Sequence, residues 1–261
     1  SDQGYSRFGT SVSGAGDVNG DGYADVLVGA RFYHNGQSEE GAAFLFLGSS
    51  SGLVGTTPST AAAILESDQD YAYFGYSISG AGDVKGDGYA DVLVGAPNFD
   101  HGEYSEGAAF LFRGSSSGLV GTTPTTASAV LESDQAGASF GGSVSSAGDV
   151  NGDGYADAIV SVPDFDNGQS NEGAAFLFLG SSSGLVGTNS ATAAAFLESD
   201  QADAYFGGSV SSAGDVNGDG YADVVVGAPE FDDGQTNEGA AFLFLGSASG
   251  LVGTTPTTAA A

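Results

Sequence analysis

The chain has 261 residues, with 33 Asp or Glu against four Lys or Arg, and its formal net charge at pH 7 is −29. This charge favours cations and disfavours nucleic acid and anionic membranes as partners, because both are bound through Lys and Arg side chains that neutralise phosphate. The sequence has no Cys, which excludes disulfides and thiolate metal sites, and no apolar run of about 18 residues that would cross a membrane.

The predicted elements follow one order that repeats four times. The string AGDV begins at Ala15, Ala81, Ala147 and Ala213, a constant interval of 66 residues, and Phe-Gly, GAAFLF and SGLVGT recur at the same interval. The repeated units are residues 1–66, 67–132, 133–198 and 199–261. Such an array predicts a stack or ring in which neighbouring units bury a shared core.

Within each unit the pattern predicts four strands, as the second unit illustrates. The Gly- and Ser-rich segment FGYSISGAGDV, from Phe74, is the first strand, and KGDG, from Lys85, is a hairpin turn. ADVLVGAP, GAAFLFRG and TASAVLESD, the last from Thr126, are the next three strands. GAAFLF is apolar on both faces, which is typical of a sheet covered on both sides, and no segment has a sustained helical period. We therefore expect an all-β fold.

Each unit carries a nine-residue acidic loop between its first two predicted strands. The loop reads DVNGDGYAD in three units and DVKGDGYAD in the second. Side-chain oxygens stand at positions 1, 3, 5 and 9, and position 7 offers a backbone carbonyl, an alternation that suits Ca²⁺ better than the strictly octahedral Mg²⁺. The predicted calcium ligands are Asp17, Asn19, Asp21, Tyr23 and Asp25; Asp83, Asp87, Tyr89 and Asp91; Asp149, Asn151, Asp153, Tyr155 and Asp157; and Asp215, Asn217, Asp219, Tyr221 and Asp223.

The loop has two other interpretations, an EF-hand and a plain hairpin turn. An EF-hand requires Glu at position 12, which is Val28 in the first unit, so that motif is rejected. A plain hairpin turn with solvated Asp side chains explains one copy better than four. In the second unit Lys85 stands where Asn19 stands in the first, and an ammonium group cannot ligate a cation. We expect three strong calcium sites and a weaker or empty one at Lys85.

The ordered motifs resemble FG-GAP repeats, the blades of integrin alpha-subunit propellers and of many bacterial surface proteins. The resemblance covers all four units and includes the Phe-Gly start, the acidic loop, SGL, and GAP at 95–97 and 227–229. It implies a β-propeller of four-stranded blades, with Ca²⁺ held in the hairpin between the first two strands, and an extracellular location. GAP is replaced at Gly29-Ala30-Arg31 and at Ser161-Val162-Pro163, and such propellers usually have more blades, so the integrin ligand site is not transferred.

The chain is three residues short of four full periods, and the missing positions match Ile64, Leu65 and Glu66. We expect the fourth unit to lack the centre of its outer strand. Either the ends meet in a ring, with Ser1 beside Ala261, or the open edge is completed by another chain or by sequence beyond this segment. An incomplete outer strand exposes a sheet edge, which favours the addition of a strand from a neighbour.

Catalysis is not expected. His34 and His101 occupy non-equivalent loop positions, and neither belongs to a nucleophile pattern. Acidic residues around Glu172 and Glu238 could support glycoside hydrolysis, but their repetition favours solvated loops or auxiliary cation contacts.

We expect a calcium-stabilised extracellular propeller that serves as a structural or filament-forming subunit or as an adhesion module. The alternatives are a carbohydrate- or protein-binding module and an accessory domain of a secreted enzyme. The expected partners are copies of the chain or a neighbouring repeat at the open edge, and protein or glycan ligands.

Overall fold

The computed structural model describes residues 3–261 and contains four antiparallel sheets, one per repeat, which we call blades 1 to 4. Blade 1 comprises β1 (Val12–Gly16), β2 (Asp25–Ala30), β3 (Ala42–Phe46) and β4 (Ala63–Glu66), and blade 2 comprises β5 (Ser77–Gly82), β6 (Asp91–Ala96), β7 (Ala108–Phe112) and β8 (Ala129–Glu132). Blade 3 comprises β9 (Val144–Gly148), β10 (Asp157–Val162), β11 (Ala174–Phe178) and β12 (Ala195–Glu198), and blade 4 comprises β13 (Ser209–Gly214), β14 (Asp223–Ala228) and β15 (Ala240–Phe244). Consecutive strands pair in each sheet, as in the blades of a β-propeller.

The predicted strands are confirmed, with corrections at their ends. The first strand of blade 2 begins at Ser77 rather than at Phe74, which instead forms an isolated parallel bridge with Gly41 of blade 1. Two short 3₁₀ helices, Pro58–Thr60 and Pro124–Thr126, precede β4 and β8 and were not predicted. A Pro at the first helical position is compatible with such a turn, because Pro has the required φ and lacks only an N–H that would have no partner there.

The first strands of successive blades lie side by side, β1 against β5, β5 against β9 and β9 against β13. Their Gly content permits this close approach: a Cβ on Gly80 of β5 would lie 2.7 Å from the carbonyl oxygen of Gly14 in β1. Within residues 3–261 no comparable contact joins β13 back to β1. The described residues therefore do not close into a ring through contact between β13 and β1. The prediction for Ser1 lies outside the described residues.

Three core clusters lie at the interfaces between successive blades, and a fourth, smaller cluster lies within blade 1. One blade contributes a face of aliphatic residues, the Leu face, which in blade 1 includes Leu27 and Leu45. The next blade contributes a face of Phe residues, the Phe face, which in blade 2 includes Phe74, Phe110 and Phe112. The same pairing recurs between blades 2 and 3 and between blades 3 and 4. The prediction that GAAFLF strands are covered on both faces is confirmed for β3, β7 and β11, which are buried throughout.

Blade 4 has three strands and the start of a fourth. The N–H of Ala260 donates to the carbonyl oxygen of Leu243 at 2.8 Å, and the N–H of Leu243 donates to Ala261 at 2.8 Å. These bonds reproduce the first step of the pairing between β3 and β4 in blade 1. Among residues 3–261, the outer side of β15 is thus paired only at Leu243, and the incomplete outer strand of the fourth unit stays a prediction.

Candidate metal centres in the blade loops

The first aspartate of each acidic loop organises the loop backbone. Oδ1 of Asp17 accepts the N–H groups of Gly20 at 2.7 Å and Asp21 at 3.1 Å, and Oδ2 accepts the N–H of Gly22 at 2.7 Å. The same three bonds recur in the other loops, at Asp83, Asp149 and Asp215. The loop is thus folded around one carboxylate.

Positions 3 and 5 lie side by side on the exposed tip of the loop. Nδ2 of Asn19 donates to Oδ2 of Asp21 at 2.9 Å, and the amides of Asn151 and Asn217 do the same in the third and fourth loops. In the second loop Nζ of Lys85 lies 3.2 Å from Oδ2 of Asp87. The cation that Lys85 brings is therefore paired with a carboxylate predicted to bind calcium.

The ninth residue of each loop is buried, unlike the tip. In blade 2, Oδ2 of Asp91 accepts the N–H of Val84 at 3.0 Å, and Oδ1 accepts the N–H of Gly114 at 2.9 Å. The same two bonds occur at Asp25, Asp157 and Asp223. Burial raises the pKa of Asp91 and of Asp157 to about 6, although the two backbone N–H donors act in the opposite direction. These aspartates join the loop to the end of the third strand, a role that the spacing did not reveal.

In blades 2, 3 and 4 the seventh residue connects the acidic loop to the loop of the preceding blade. A Cβ on Gly20 would lie 2.8 Å from Cε1 of Tyr89, so the tyrosine ring of blade 2 covers this glycine of blade 1. Beside it, the N–H of Ala90 donates to the carbonyl oxygen of Asp17 at 3.0 Å. Equivalent contacts join blades 2 and 3 and blades 3 and 4. The acidic loops therefore form a continuous row along the stack of blades.

The loop residues fit a hard cation in their chemistry. The donor set consists of carboxylate, amide and carbonyl oxygens, and each aspartate retains acceptor capacity on at least one oxygen beyond its backbone bonds. The aspartates of a loop are not, however, gathered into a tight cluster. Among residues 3–261, the groups of three with ligand atoms within 4.8 Å of one another lie elsewhere: His101, Glu106 and Glu132, and Glu172, Glu198 and Asp200.

These two groups lie at equivalent places in blades 2 and 3, beside the loop between the second and third strands. In blade 2, Nδ1 of His101 contacts Oε2 of Glu132 directly. In blade 3 an asparagine replaces the histidine, and Nδ2 of Asn167 donates to Oε2 of Glu198 at 2.7 Å. The sequence favours a solvated loop or an auxiliary cation contact for Glu172, and in the structure its side chain is buried.

The described part of the chain, residues 3–261, has no helix with the length and hydrophobicity that crossing a bilayer requires.

Comparison with known proteins gives the same family in every repeat. The family model described as the FG-GAP repeat matches residues 8–46, 74–112, 140–178 and 206–244. Each match therefore spans the first three strands of a blade together with its acidic loop.

The chain is also similar to integrin alpha subunits. Integrin alpha-5 of Xenopus laevis is 36% identical over 160 residues, which cover 59% of this chain and 14% of that protein. Integrin alpha-IIb of Mus musculus is 36% identical over 160 residues, 59% of this chain and 15% of that protein. Integrin alpha-PS5 of Drosophila melanogaster is 37% identical over 171 residues, 64% of this chain and 16% of that protein. The similarity thus spans only a small part of each integrin chain.

Proposed function

Because the chain belongs to the FG-GAP repeat family, we propose that it is a non-enzymatic, extracellular β-propeller module that calcium stabilises and that associates with further copies of itself. The main support for the proposal is the row of acidic loops, in which the loops of neighbouring blades contact each other. Adhesion is the role that the similarity to integrin alpha subunits supports. Binding of glycan or protein ligands remains the alternative function.

Calcium would act on the fold through these contacts between loops. An ion held by Asp17, Asn19, Asp21, Asp25 and the carbonyl of Tyr23 would fix the loop whose backbone accepts a hydrogen bond from Ala90 of the next blade. It would also lower the repulsion between the carboxylates. Three bound ions would change the net charge from −29 to −23, since each adds two positive charges.

The two outer faces of the stack are complementary. Val12 in the Phe face of blade 1 is 66% exposed, whereas Ile78 at the same position of blade 2 is 5% exposed. At the other end, Val225 and Leu243 in the Leu face of blade 4 are partly exposed, whereas their counterparts are buried in blades 1 to 3. The interfaces inside the chain are built from one Leu face and one Phe face, so the free faces match each other.

The backbone at the two ends is complementary in the same way. Inside the chain, the N–H groups of Ala90 and Ser115 donate to carbonyl oxygens of the preceding loop at 3.0 Å each. Within residues 3–261, the corresponding N–H groups of Ala24 and Ser49 in blade 1 make no such bond, nor do the carbonyls of Asp215 and Val216 in blade 4. A second copy whose blade 1 packs on blade 4 would form both bonds. This contact is heterologous, so it produces a ring or a filament.

The test is the oligomeric state of the full chain, measured by analytical ultracentrifugation with calcium and with chelator. Val12→Glu and Val225→Glu each introduce a charge on one free face, and Val54→Glu is the control, because Val54 is 55% exposed in a loop. We expect the unmodified chain and the control to associate as concentration rises, with calcium favouring association, and each face variant to remain monomeric.

A mixture of the two face variants tests the geometry. The Val12→Glu chain keeps its blade 4 face and the Val225→Glu chain keeps its blade 1 face, so the mixture should form heterodimers and nothing larger. Association of all three variants to the same extent as the unmodified chain, or monomers in the mixture, would contradict head-to-tail contact between copies.

A further inference from the structure

The carboxylate of Glu172 has an oxygen without a hydrogen-bond partner in a fully buried position. Glu172 is 0% exposed. Its Oε1 atom accepts the backbone N–H of Asn167, while its Oε2 atom is buried and has no hydrogen-bond partner. A buried carboxylate oxygen without a donor is costly, because it has lost its water and gained nothing in exchange. Such an atom indicates that a water, a proton or a positively charged group completes the site.

Two other carboxylates surround Glu172 and connect it to solvent. One oxygen from each of Glu172, Glu198 and Asp200 lies within 4.8 Å of the other two. Glu198 is at the end of β12, and Asp200 is exposed two residues further on. The cluster therefore runs from a buried oxygen to a surface carboxylate, which gives an ion a path from solvent.

The chain supplies no basic side chain to neutralise this cluster. Its four Lys and Arg residues are Arg7, Arg31, Lys85 and Arg113, and the third and fourth repeats contain neither these residue types nor His. Burial is the main cause that raises the pKa of Glu172, and the charges of Glu198 and Asp200 raise it further. Neutralisation must therefore come from solvent, as a proton or as a metal ion.

We propose that Glu172, Glu198 and Asp200 bind a calcium ion at a site separate from the acidic loops. Three carboxylates supply only hard oxygen ligands, which suit Ca²⁺, and Ca²⁺ tolerates the irregular geometry and the water ligands that a partly open cluster implies. Zn²⁺ is disfavoured because the site has neither the nitrogen nor the sulfur ligands that it prefers. The proposal does not depend on calcium binding by the acidic loops.

The other blades provide internal comparisons. In blade 1, Glu40 is also buried, and its Oε2 atom has no hydrogen-bond partner. Burial is the main cause that raises the pKa of Glu40, and the charges of Glu66 and Asp68 raise it further. In blade 2, His101 contacts Glu132, so a basic group already lies within the cluster. In blade 4, Glu238 is exposed, and the chain has no residues at the positions that match Glu198 and Asp200. Blade 4 therefore supplies a matched control.

The experiment is a calcium titration of the full chain by calorimetry, with Glu172→Gln and the control Glu238→Gln. Both variants remove one negative charge at the same repeat position. We expect the control to bind as many ions as the unmodified chain and Glu172→Gln to bind one fewer. The effect is a difference between two variants with intact loops, so it is measurable whether or not the acidic loops bind calcium.

Stability in chelator shows that the variants are folded and separates an ion from a proton. The amide that Glu172→Gln introduces keeps one acceptor for the N–H of Asn167 and offers a donor to Glu198, so this variant should melt in chelator at least as high as the unmodified chain. Its melting temperature should rise less when calcium is added. Asp200→Asn changes an exposed residue and should weaken one site at least tenfold without altering the fold. The same number of ions and the same affinity in all variants would overturn the proposal, since a proton or a water, and not calcium, would then complete the site at Glu172.

Discussion

Oδ1 of Asp157 accepts the backbone N–H of Gly180 at 2.8 Å, across 23 residues of sequence. Its other oxygen accepts the N–H of Val150 at 2.9 Å, so one buried carboxylate joins the acidic loop to the segment that follows β11. The ninth position of the loop therefore has a structural role in the folded chain in addition to the ligand role predicted from the spacing. The two roles respond differently to substitution.

Replacement of Asp157 by Asn should destabilise the chain even when calcium is absent. An amide has a single acceptor oxygen, so its NH₂ group would face one of the two backbone N–H groups whose hydrogen bonds Asp157 accepts. That backbone donor would be left unpaired, which costs about 1–3 kcal/mol. Asp153→Asn is the control, since Asp153 is exposed at the loop tip and an exposed substitution usually costs less than about 0.5 kcal/mol. Urea denaturation in chelator measures both. Equal stability of the two variants would contradict a structural role for the Asp157 carboxylate.

Calcium should raise the thermal stability of the unmodified chain. Each regular loop carries three aspartates in a chain of net charge −29, and a bound ion would relieve the repulsion between them. At free calcium 100 times the dissociation constant, one site adds roughly 2.7 kcal/mol to the free energy of unfolding. Thermal melts with calcium, with magnesium and with chelator measure the effect. Identical midpoints with calcium and with chelator would contradict the prediction.

The second loop should bind calcium more weakly than the other three. Nζ of Lys85 is 3.2 Å from Oδ2 of Asp87, so the ammonium group competes for a carboxylate that an ion would need. Lys85→Asn restores the amide found in the other loops and should increase the stoichiometry or the affinity measured by calorimetry. Arg113→Gln removes one positive charge outside the loops and should change neither. Four equivalent sites in the unmodified chain would be inconsistent with this expectation.

The sequence predicted the parts of the fold that depend on local pattern. The pattern of GAAFLF predicted that the third strands are buried on both faces. The Lys at position 85, where the other loops have Asn, predicted an ammonium group beside a calcium ligand. Features that depend on packing between repeats were not predicted. The ring of Tyr89 covers Gly20, which lies 69 positions earlier in the sequence, and the burial of Glu172 arises from the segments folded around it. A repeat interval shows that such residues are equivalent but not which of them meet.

The contact between neighbouring loops should be measurable through one glycine. Gly152 has φ +73°, and a Cβ there would lie 2.8 Å from the ring of Tyr221 in the next blade. Gly154 has φ +89°, and a Cβ there would have nothing within 4 Å. Both substitutions to Ala incur the backbone strain of positive φ, about 1–2 kcal/mol, so their difference isolates the contact. Gly152→Ala should be the less stable variant in urea denaturation. If the two variants unfold at the same urea concentration, the tyrosine contact contributes nothing.

Completion of the outer strand of blade 4 should stabilise the chain. In blade 1 the segment from Ile64 to Glu66 pairs with β3, and Leu65 within it is fully buried. In blade 4 the pairing stops at Ala261, which leaves Phe242 without a partner strand on one side. Addition of Ile-Leu-Glu after Ala261 would extend the pairing along β15 and bury two apolar side chains at least in part.

Burial of one aliphatic side chain contributes about 1.5–3 kcal/mol when it is complete, so we expect a gain of about 1–3 kcal/mol for the extension. Addition of Gly-Ser-Gly at the same place is the control, because it lengthens the chain without the apolar side chains or the strand propensity. Urea denaturation at a concentration too low for association keeps the measurement within one chain. Equal stability of the two extended chains would mean that the pairing at Ala260 and Ala261 does not continue, and that the edge of blade 4 is not an acceptor for a strand.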